Sequence, residues 1–447
     1  MTLIDSNETK KVHLISLGCA RNRVDSEVML GCMINDGYEI TDDETSADVI
    51  VVNTCGFIGP AKEESINTIL SAAELKAQNP DMKLVVAGCL TQRYKGQLAK
   101  GLPEVDLFIG TDEFPKLATY LKSDSDKKIY TQRTGYLYSG ELPKKNTLAK
   151  ASAYVKVAEG CQHNCSFCII PAIRGKLRSR PIPSVVAEVE KLVSEGVLEV
   201  NLIAQDLAAY GREKGSDDLL PLLRALVKID GLEWIRMLYV YPENISDEFL
   251  DFFANEPKLV KYLDIPIQHA DNDVLKKMNR DVTREDLVNT IKNVRSRIPG
   301  IAIRTSVMVG FPGETEEQFE TLKEFVQDMK LEHLGCFQYS KEENTVAGRM
   351  PNQIDEETKA RRYAEIMTIQ KDISRARLAD LVGKQFPVLV DGPSEESELL
   401  FAGRLPFQAP EVDGIVYLND GPVKAGSIQI AQIDEAHDYD LVAHILQ

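Results

Sequence analysis

Three short apolar runs, each ending in a cysteine, constrain the fold of the first 90 residues. The runs HLISLGC, DVIVVNTC and LVVAGC end at Cys19, Cys55 and Cys89, and the helix-like segments SEVMLGCMINDGY and AKEESINTILSAAELKAQ separate them. This alternation is typical of parallel βαβ units, whose strands end along one edge of the sheet, where ligands bind. We therefore expect the three cysteines to converge on one site, although any single one could be a small buried residue.

The alternation resumes after residue 150 on a larger scale. Six strand-like runs follow, AYVKVAEGC, LEVNLIAQD, WIRMLYVYP, KYLDIPIQHA, IAIRTSVMVGFPG and HLGCFQYS, with helix-like segments such as SVVAEVEKLVSEG and TEEQFETLKEFVQDMK. This pattern predicts a barrel or partial barrel with six strand–helix units and its chemistry at the C-terminal strand ends. The overall prediction is an α/β protein with an N-terminal parallel α/β domain (1–125), a polar linker (126–150), a partial (β/α)6 barrel (151–377) and a small antiparallel β-barrel (378–447).

Composition narrows the class of protein. A chain of 447 residues is long enough for about three domains of roughly 150 residues each. No run approaches the 18 apolar residues of a membrane span, and the polar, acidic N-terminus does not resemble a signal peptide, so we expect a cytoplasmic location. Eight cysteines would remain thiols there, and clustered cytosolic cysteines favour metal binding or catalysis. A net charge of −17 argues against binding of nucleic acid over a wide basic surface.

A second group of cysteines lies directly after the first strand of the predicted barrel. The stretch GCQHNCSFC places Cys161, Cys165 and Cys168 in a C-x3-C-x2-C pattern. A structural zinc site needs four ligands, which His163 could complete, but such ligands usually come in pairs from separate elements. A four-iron cluster also has four corners, so three thiolates would leave one iron open to another ligand.

This cysteine pattern, with Phe167 before the last cysteine, resembles the radical SAM superfamily. The resemblance implies that S-adenosylmethionine binds the open iron and that an electron from the 4Fe-4S cluster cleaves it to a 5′-deoxyadenosyl radical. An unrelated zinc or structural cluster is the alternative reading. An electron donor is implied as a partner.

The first cysteine group narrows the resemblance to the methylthiotransferase family. SLGCARNRVDSE, VNTCGFIGPAKEES and VVAGCLTQR are similar to the N-terminal domain of these enzymes, which implies that Cys19, Cys55 and Cys89 hold a second, sulfur-handling 4Fe-4S cluster. The last segment is similar to the TRAM domain that closes such chains. The resemblance covers nearly the whole sequence and implies two molecules of S-adenosylmethionine per turnover, one as methyl donor and one as radical source.

Further stretches resemble the branch of the family that modifies an aspartate of the twelfth small-subunit ribosomal protein. They include CIIPAIRGKLRSRP, AQDLAAYG, YVYP, YLDIPIQHA and VGFPGETEEQF. The implied reaction replaces a β-carbon hydrogen of that aspartate by a methylthio group. The alternatives are a tRNA adenosine methylthiotransferase and a zinc-binding scaffold that tethers to the ribosome. Ala20, Arg21 and Arg23 depart from the commoner pattern, and we interpret them as loop substitutions that leave Cys19 in place and put little of the resemblance in doubt.

The charge of the predicted TRAM domain separates the two enzyme branches. Residues 378–447 contain 3 Lys and Arg and 12 Asp and Glu, which gives −9. A domain that grips tRNA should be basic, whereas an acidic face suits a basic ribosomal protein or the particle that carries it. Acidity that only aids solubility is the alternative reading.

Several polar residues end the predicted barrel strands and are candidates for contact with S-adenosylmethionine or the target aspartate. They are Gln205, Asp206, Gln268, His269 and Arg304, together with Gly310 and Gly313 of the VGFPGET turn, where a glycine would permit close approach of a cofactor. Each could instead satisfy loop backbone or form a tight turn. Cys32, Cys336, Trp234, Met237 and Leu238 are expected to be packing residues.

Overall fold

The computed structural model describes residues 9–123, 125–132, 135–397 and 399–446, so the predictions for residues 1–8, 124, 133, 134, 398 and 447 lie outside it. Two parallel sheets and one closed barrel follow one another along the chain. The predicted α/β class and the order of its three parts are confirmed. No helix within the described part of the chain is both long and apolar enough to span a bilayer.

The N-terminal sheet has six parallel strands in the order β2-β1-β3-β4-β5-β6. Its strands are β1 (Lys11–Ser16), β2 (Glu39–Ile40), β3 (Val49–Thr54), β4 (Lys83–Gly88), β5 (Leu107–Ile109) and β6 (Ile129–Tyr130), and its helices are α1 (Ala20–Asn35), α2 (Gly59–Gln78), α3 (Cys89–Tyr94), α4 (Gly96–Gly101) and α5 (Leu117–Leu121). Every residue of β3 is buried, as expected for a central strand covered on both faces. Strand β6 extends this sheet into the segment that the sequence suggests is a linker.

The central sheet also has six parallel strands, in the order β14-β13-β12-β11-β10-β7. The strands of this part are β7 (Ser152–Lys156), β8 (Ala158–Glu159), β9 (Arg178–Ser179), β10 (Glu199–Ile203), β11 (Trp234–Met237), β12 (Leu259–Asp264), β13 (Ala302–Val309) and β14 (His333–Gln338). The helices are α6 (Ile170–Arg174), α7 (Ile182–Ser194), α8 (Leu219–Leu226), α9 (Asp247–Asn255), α10 (Asn272–Lys277), α11 (Arg284–Arg297), α12 (Glu316–Met329) and α13 (Glu356–Ala379). Capping boxes at Thr283 and Thr315 fix the starts of α11 and α12.

The C-terminal part is a closed barrel in the order β15-β16-β17-β19-β18. Its strands are β15 (Gln385–Pro393), β16 (Phe401–Arg404), β17 (Val416–Asp420), β18 (Ile428–Ala436) and β19 (Leu441–Ile445). Four of the five correspond to predicted strands, whereas β19 was missed because LVAHI is short and has no turn signal after it. The pairing of β17 with β19 is parallel and the other pairs are antiparallel. The prediction of a purely antiparallel barrel is therefore wrong for this one pair.

The two faces of the central sheet pack against different partners. Ala153 and Val155 of β7 face the helices and belong to the largest apolar core, while Tyr154 between them packs on the other face with Phe407 and Ala409. Side chains alternate across a strand, so this opposite placement follows from the pleat. The inner face of the sheet is therefore filled by the C-terminal barrel.

Residues 404–413, which we call the plug segment, contact all six strands of the central sheet. Arg404 pairs with Glu199 of β10 (2.7 Å), the Pro406 carbonyl accepts from Arg236 of β11 (2.7 Å), and the Phe407 carbonyl is 2.8 Å from Nε2 of His333 in β14. The Pro410 carbonyl accepts from Tyr154 of β7 (3.1 Å), and Asp413 accepts from Tyr262 of β12 (2.7 Å) and pairs with Arg304 of β13 (3.5 Å). The plug segment thus joins the last domain to the barrel interior.

Candidate active site

The loops that carry the N-terminal cysteines meet at the edge of the first sheet. Cys19 is the N-cap of α1, Cys55 directly follows β3, and Cys89 begins α3 directly after β4. Gly18 has a φ of +92°, and a Cβ there would come within 2.9 Å of the Cys55 Cβ. A Cβ at Gly56 would likewise lie 2.9 Å from the Cys89 carbonyl. These close approaches require glycine and bring the three cysteine loops together.

Charged groups surround this N-terminal triad, by which we mean Cys19, Cys55 and Cys89. Burial opposes ionisation of Cys19, but the Arg21 and Arg174 guanidiniums outweigh it and lower its pKa. Burial raises the pKa of Cys55 to about 12, and it also raises the pKa of Cys89, although Arg174 acts against it. Arg174 Nη2 donates to the Cys89 sulfur over 3.3 Å. Arg174 is thus a fixed cation that favours the thiolate form of all three members of the triad.

Arg174 is held by a buried network that crosses from the barrel to the N-terminal domain. Its Nη1 is 2.8 Å from Asp25 of α1 and 3.2 Å from Glu159 of β8. Lys156 of β7 contacts the same Asp25 and lies 2.6 Å from Glu159. Because all four side chains are almost fully buried, each charge depends on the others, and removal of one would leave an uncompensated buried charge.

The barrel triad, Cys161, Cys165 and Cys168, lies on a single loop between β8 and α6. The Cys168 N–H donates to the Cys165 carbonyl (3.0 Å), the Cys161 N–H donates to the Gly175 carbonyl (3.1 Å), and the Ser166 N–H donates to the Met278 carbonyl (3.0 Å). These bonds fold the loop on itself and tie it to its neighbours. Burial raises the pKa of Cys161 to about 11 and that of Cys168 to about 12.

Two stacked aromatic rings support the barrel triad. The Tyr241 hydroxyl lies 3.1 Å from the Cys165 sulfur, and burial raises the pKa of Tyr241, so this group remains a neutral donor. The His163 ring stacks on Tyr241 with centroids 3.9 Å apart, and its Nε2 lies 2.7 Å from Asp206. The His163 backbone N–H donates to the Cys161 sulfur over 3.4 Å. Asp206 therefore orients a ring that backs the triad.

One cavity of about 570 Å³ opens onto the three barrel cysteines and onto Cys19 of the N-terminal triad. Its wall contains members of all three domains, namely Gly18, Cys19, Arg21 and Arg23 of the N-terminal domain, Cys161, Cys165 and Cys168 of the barrel, and Glu411 and Val412 of the plug segment. A volume of this size is typical of a small-molecule or cofactor site.

Four of the predicted contact residues line this cavity, whereas Asp206, His269, Gly310 and Gly313 do not. Phe167, Gln205, Gln268 and Arg304 are on its wall. Asp206 is buried behind His163 and His269 is buried beside Glu314 (3.3 Å), whereas a Cβ at Gly310 would meet Lys359 at 2.3 Å. Asp206 thus contacts His163, and Gly310 permits close packing of the α13 lysine. Contact of either residue with a cofactor or substrate stays a prediction.

The substitutions read as loop changes lie in the first turn of α1, which begins at Ala20, six residues before the predicted helix. Arg21 lies 4.3 Å over the Tyr239 ring and donates to the Ala204 carbonyl (2.9 Å). Arg23 pairs with Glu411 of the plug segment. These side chains form part of the cavity wall and join the domains, so their assignment to a loop is wrong.

Further cavity residues were not singled out from the sequence. Tyr239 and Tyr241 belong to the stretch YVYP, which indicates only the family, and Glu411 lies in the domain that is expected to bind the ribosomal protein. Tyr239 (φ 63°) and Gln268 (φ 70°) both have left-handed backbone without being glycine. Such strain is concentrated at functional sites, and it is visible only in the folded chain.

The sulfur atoms fit iron–sulfur ligation by their chemistry. All eight cysteines are free thiols, and Cys89, Cys161 and Cys165 each have an N–H or O–H group directed at sulfur. No three His, Cys, Asp or Glu side chains in the described ranges are arranged to hold a metal ion. The thiolates of a four-iron cluster bind different irons and span more space than the ligands of one ion. Gln205 is on the cavity wall, and its Oε1 is a buried acceptor without a hydrogen-bond partner within the described residues.

Family models match each of the three domains. Residues 11–110 match the uncharacterized protein family UPF0004, residues 155–326 match the radical SAM superfamily, and residues 382–446 match the TRAM domain. The matched ranges follow the domain order of the structure.

Curated relatives match nearly the full length. The ribosomal protein uS12 methylthiotransferase RimO of Bdellovibrio bacteriovorus is 46% identical over 451 residues, which covers 99% of both chains. That of Syntrophotalea carbinolica is 48% identical over 446 residues and covers 99% of this chain and 98% of its own. Among solved structures, the radical S-adenosylmethionine methyltransferase TsrM from Kitasatospora setae, with cobalamin and a [4Fe-4S] cluster bound, superposes with a TM-score of 0.55 at 17% identity, covering 76% of this chain and 77% of that one. This last similarity concerns the fold alone.

Proposed function

Because the chain belongs to the RimO family of ribosomal protein uS12 methylthiotransferases, we propose that it replaces a β-carbon hydrogen of one aspartate of uS12 by a methylthio group. The bond to be broken is an unactivated C–H bond, which a base does not ionise. A radical source and a sulfur source must therefore reach the same substrate carbon.

The observation that carries the proposal is the single cavity shared by the two triads. Cys19 and the three barrel cysteines lie on its wall, and Cys55 is packed against Gly18, which also lines it. A substrate side chain in this cavity would be exposed to both centres. Two separate sites would not permit hydrogen removal and sulfur transfer at one carbon.

The barrel triad would hold a 4Fe-4S cluster that supplies, with S-adenosylmethionine at the open iron, the radical that removes hydrogen. The N-terminal triad would hold a second 4Fe-4S cluster that supplies the sulfur to be methylated, so that two molecules of S-adenosylmethionine are consumed. The buried Gln205 acceptor and the Phe167 and Gln268 side chains form the wall that would bind and orient the nucleoside.

The cavity also provides charge for the target carboxylate. Arg21 and Arg304 line it, and both pKa values are raised although burial opposes this, by Cys19 at Arg21 and by Asp264 at Arg304. Guanidiniums fixed in this way remain charged and can bind a carboxylate through two parallel N–H groups. We propose that they draw the aspartate into the cavity and orient its β-carbon.

The acidic C-terminal domain supports a basic protein substrate. With 12 acidic and 3 basic residues in 378–447, it would repel the phosphates of tRNA and attract a ribosomal protein. The tRNA alternative is accordingly not favoured. We further propose that the enzyme acts in the cytoplasm with a separate electron donor.

Mass spectrometry of a deletion strain tests this function. We expect uS12 to lose one methylthio group relative to the parent strain, while the methylthio-adenosines of tRNA remain unchanged. Loss of a tRNA modification with uS12 unchanged would reverse the assignment. Anaerobic analysis of the purified protein should give about eight irons per chain, and zinc alone would reject the enzyme reading.

A further inference from the structure

A second cavity of about 700 Å³ runs beside β14, between α13 and the C-terminal barrel. Gly335 and Phe337 of β14, Tyr363 of α13 and Tyr439 of the last domain contribute to its walls. We call this cavity the β14 groove. It extends along the strand rather than closing around one point.

Strand β14 is an edge strand. It ends the order β14-β13-β12-β11-β10-β7, so that it pairs within the described residues with β13 alone. An edge strand presents backbone N–H and C=O groups that can pair with another extended segment. The groove can therefore bind an extended polypeptide through the backbone of β14 as well as through its side chains.

Exposed apolar side chains are concentrated in this groove. Of the eleven large apolar side chains that are exposed in the described part of the chain, four line it: Phe337, Tyr363, Val412 and Tyr439. Single exposed apolar residues are ordinary, but a group of them along one groove marks an interaction site. The four come from four different segments, namely β14, α13, the plug segment and the loop between β18 and β19, so the grouping is produced by the tertiary fold.

The β14 groove leads into the shared cavity of the two triads. Arg304, Phe337 and Val412 line both spaces. A Cβ at Gly335 would lie 3.6 Å from both Arg304 and Phe337, so the absence of a side chain there keeps this junction open. The backbone of Gly335 is not left-handed, so its conformation does not itself require glycine. A chain lying in the groove could thus deliver one side chain to the cavity.

We propose that the β14 groove binds the segment of uS12 that flanks the target aspartate, in extended form along the edge of β14. This inference rests on the function proposed above. The acidic C-terminal domain forms one wall and suits a basic segment, and backbone pairing would give affinity while alternate side chains give specificity. The groove is continuous with the cavity of the two triads, which favours the substrate as its occupant. A second copy of this chain would have no reason to reach that cavity.

Paired charge substitutions test the groove. In the variant Tyr363→Lys with Tyr439→Lys, apolar contact is lost and positive charge faces a basic substrate. We expect KM for uS12 to rise about tenfold or more. The substrate in this assay is free uS12 or the small subunit, whichever the wild type modifies. Reductive cleavage of S-adenosylmethionine should be unchanged. The matched control is Leu399→Lys, which alters an exposed apolar residue of the same domain outside the groove and should leave KM unchanged.

The junction provides a second test by size. Gly335→Ala fits the available space, whereas Gly335→Val extends toward Arg304 and Phe337. We expect the valine variant to lose most methylthio transfer to uS12 and the alanine variant to retain most of it. Both should cleave S-adenosylmethionine, which shows that the protein is folded.

Crosslinking identifies the occupant directly. A photoreactive phenylalanine analogue at position 363 should crosslink to uS12, and the same analogue at position 399 should not. A crosslink from position 363 to a second enzyme chain, or an unchanged KM in the lysine variant, would overturn the inference. If the wild type itself does not modify uS12, the proposed function fails, which is a separate outcome from failure of the groove variants in an active enzyme.

Discussion

The two cysteine triads differ in how much of the fold each requires. The barrel triad lies within eight residues of one loop, which its own backbone hydrogen bonds shape. The N-terminal triad takes one cysteine from each of three strand ends, and glycines let the loops approach. One centre is therefore encoded locally, and the other exists only when the first sheet is assembled.

Their surroundings differ in charge as well. The barrel triad is backed by the Tyr241 hydroxyl and the stacked His163 ring, whereas the N-terminal triad is backed by Arg174 and its buried carboxylates. A charge-assisted hydrogen bond is about twice as strong as a neutral one. We infer that the second centre depends on the domain interface, because Arg174 itself belongs to the barrel.

The largest effect is expected from removal of the barrel triad. The change Cys161→Ala, Cys165→Ala and Cys168→Ala should abolish cleavage of S-adenosylmethionine, since no thiolate would remain to bind the radical-forming cluster. About four irons per chain should remain, held by the other triad. Quantifying 5′-deoxyadenosine and iron checks both points, and retained cleavage would contradict the division of roles.

Removal of the N-terminal triad should affect only one of the two reactions. With Cys19→Ala, Cys55→Ala and Cys89→Ala, we expect cleavage of S-adenosylmethionine to persist while methylthio transfer to uS12 stops. Comparison of 5′-deoxyadenosine with the mass of uS12 measures this split. If methylthio groups are still installed, the proposed role of the second cluster is wrong.

Arg174 tests the dependence on charge. Arg174→Met removes a cation that stabilises the Cys19 thiolate, so the pKa of Cys19 should rise and iron loading of the N-terminal triad should shift to higher pH. Loss of a group that hydrogen-bonds to a metal ligand typically costs about 10- to 100-fold in affinity or activity.

Iron content and the electron paramagnetic resonance signal of each cluster, followed across pH, measure this shift. Arg174→Lys keeps the positive charge but loses the planar guanidinium. The pH dependence of its iron loading should lie between that of the wild type and that of Arg174→Met. The barrel cluster serves as internal control, and its loss in step with the N-terminal one would indicate general unfolding of the domain interface.

Tyr241→Phe should have the smallest effect. It removes a neutral hydrogen bond to the Cys165 sulfur, worth about 1 kcal/mol, or roughly a fivefold change. We expect a small shift in the midpoint potential of the barrel cluster and none in that of the N-terminal cluster. If Tyr241→Phe affects its cluster as strongly as Arg174→Met affects the other, the proposed difference between a hydroxyl donor and a guanidinium donor to sulfur is wrong.

The sequence predicted the features that depend on local pattern. The strands preceding Cys19, Cys55 and Cys89 were recognisable because buried parallel strands are short apolar runs. The start of α1 was missed because the polar residues Arg21 to Asp25 give no apolar period, and their burial depends on partners elsewhere in the chain.

Features that arise from tertiary contact could not be predicted. Lys156, Glu159 and Arg174 are charged residues that would ordinarily be assigned to the surface, and only their mutual pairing with Asp25 allows burial. Asp206 and Gly310 were placed at the right strand ends, but strand position does not determine which side of a loop faces the cavity. The cavity wall formed by Glu411 and Val412 lies more than 200 residues from the cysteines it faces.

The plug segment has a consequence for the time at which the enzyme becomes competent. Domains made first during synthesis tend to fold first, and both triads precede residue 170. The cavity wall nevertheless includes Glu411 and Val412, which emerge from the ribosome more than 200 residues later. A nascent chain can therefore hold all six cysteines while its reaction chamber is still open to solvent. The last barrel must therefore be synthesised and folded before the wall of this chamber is complete.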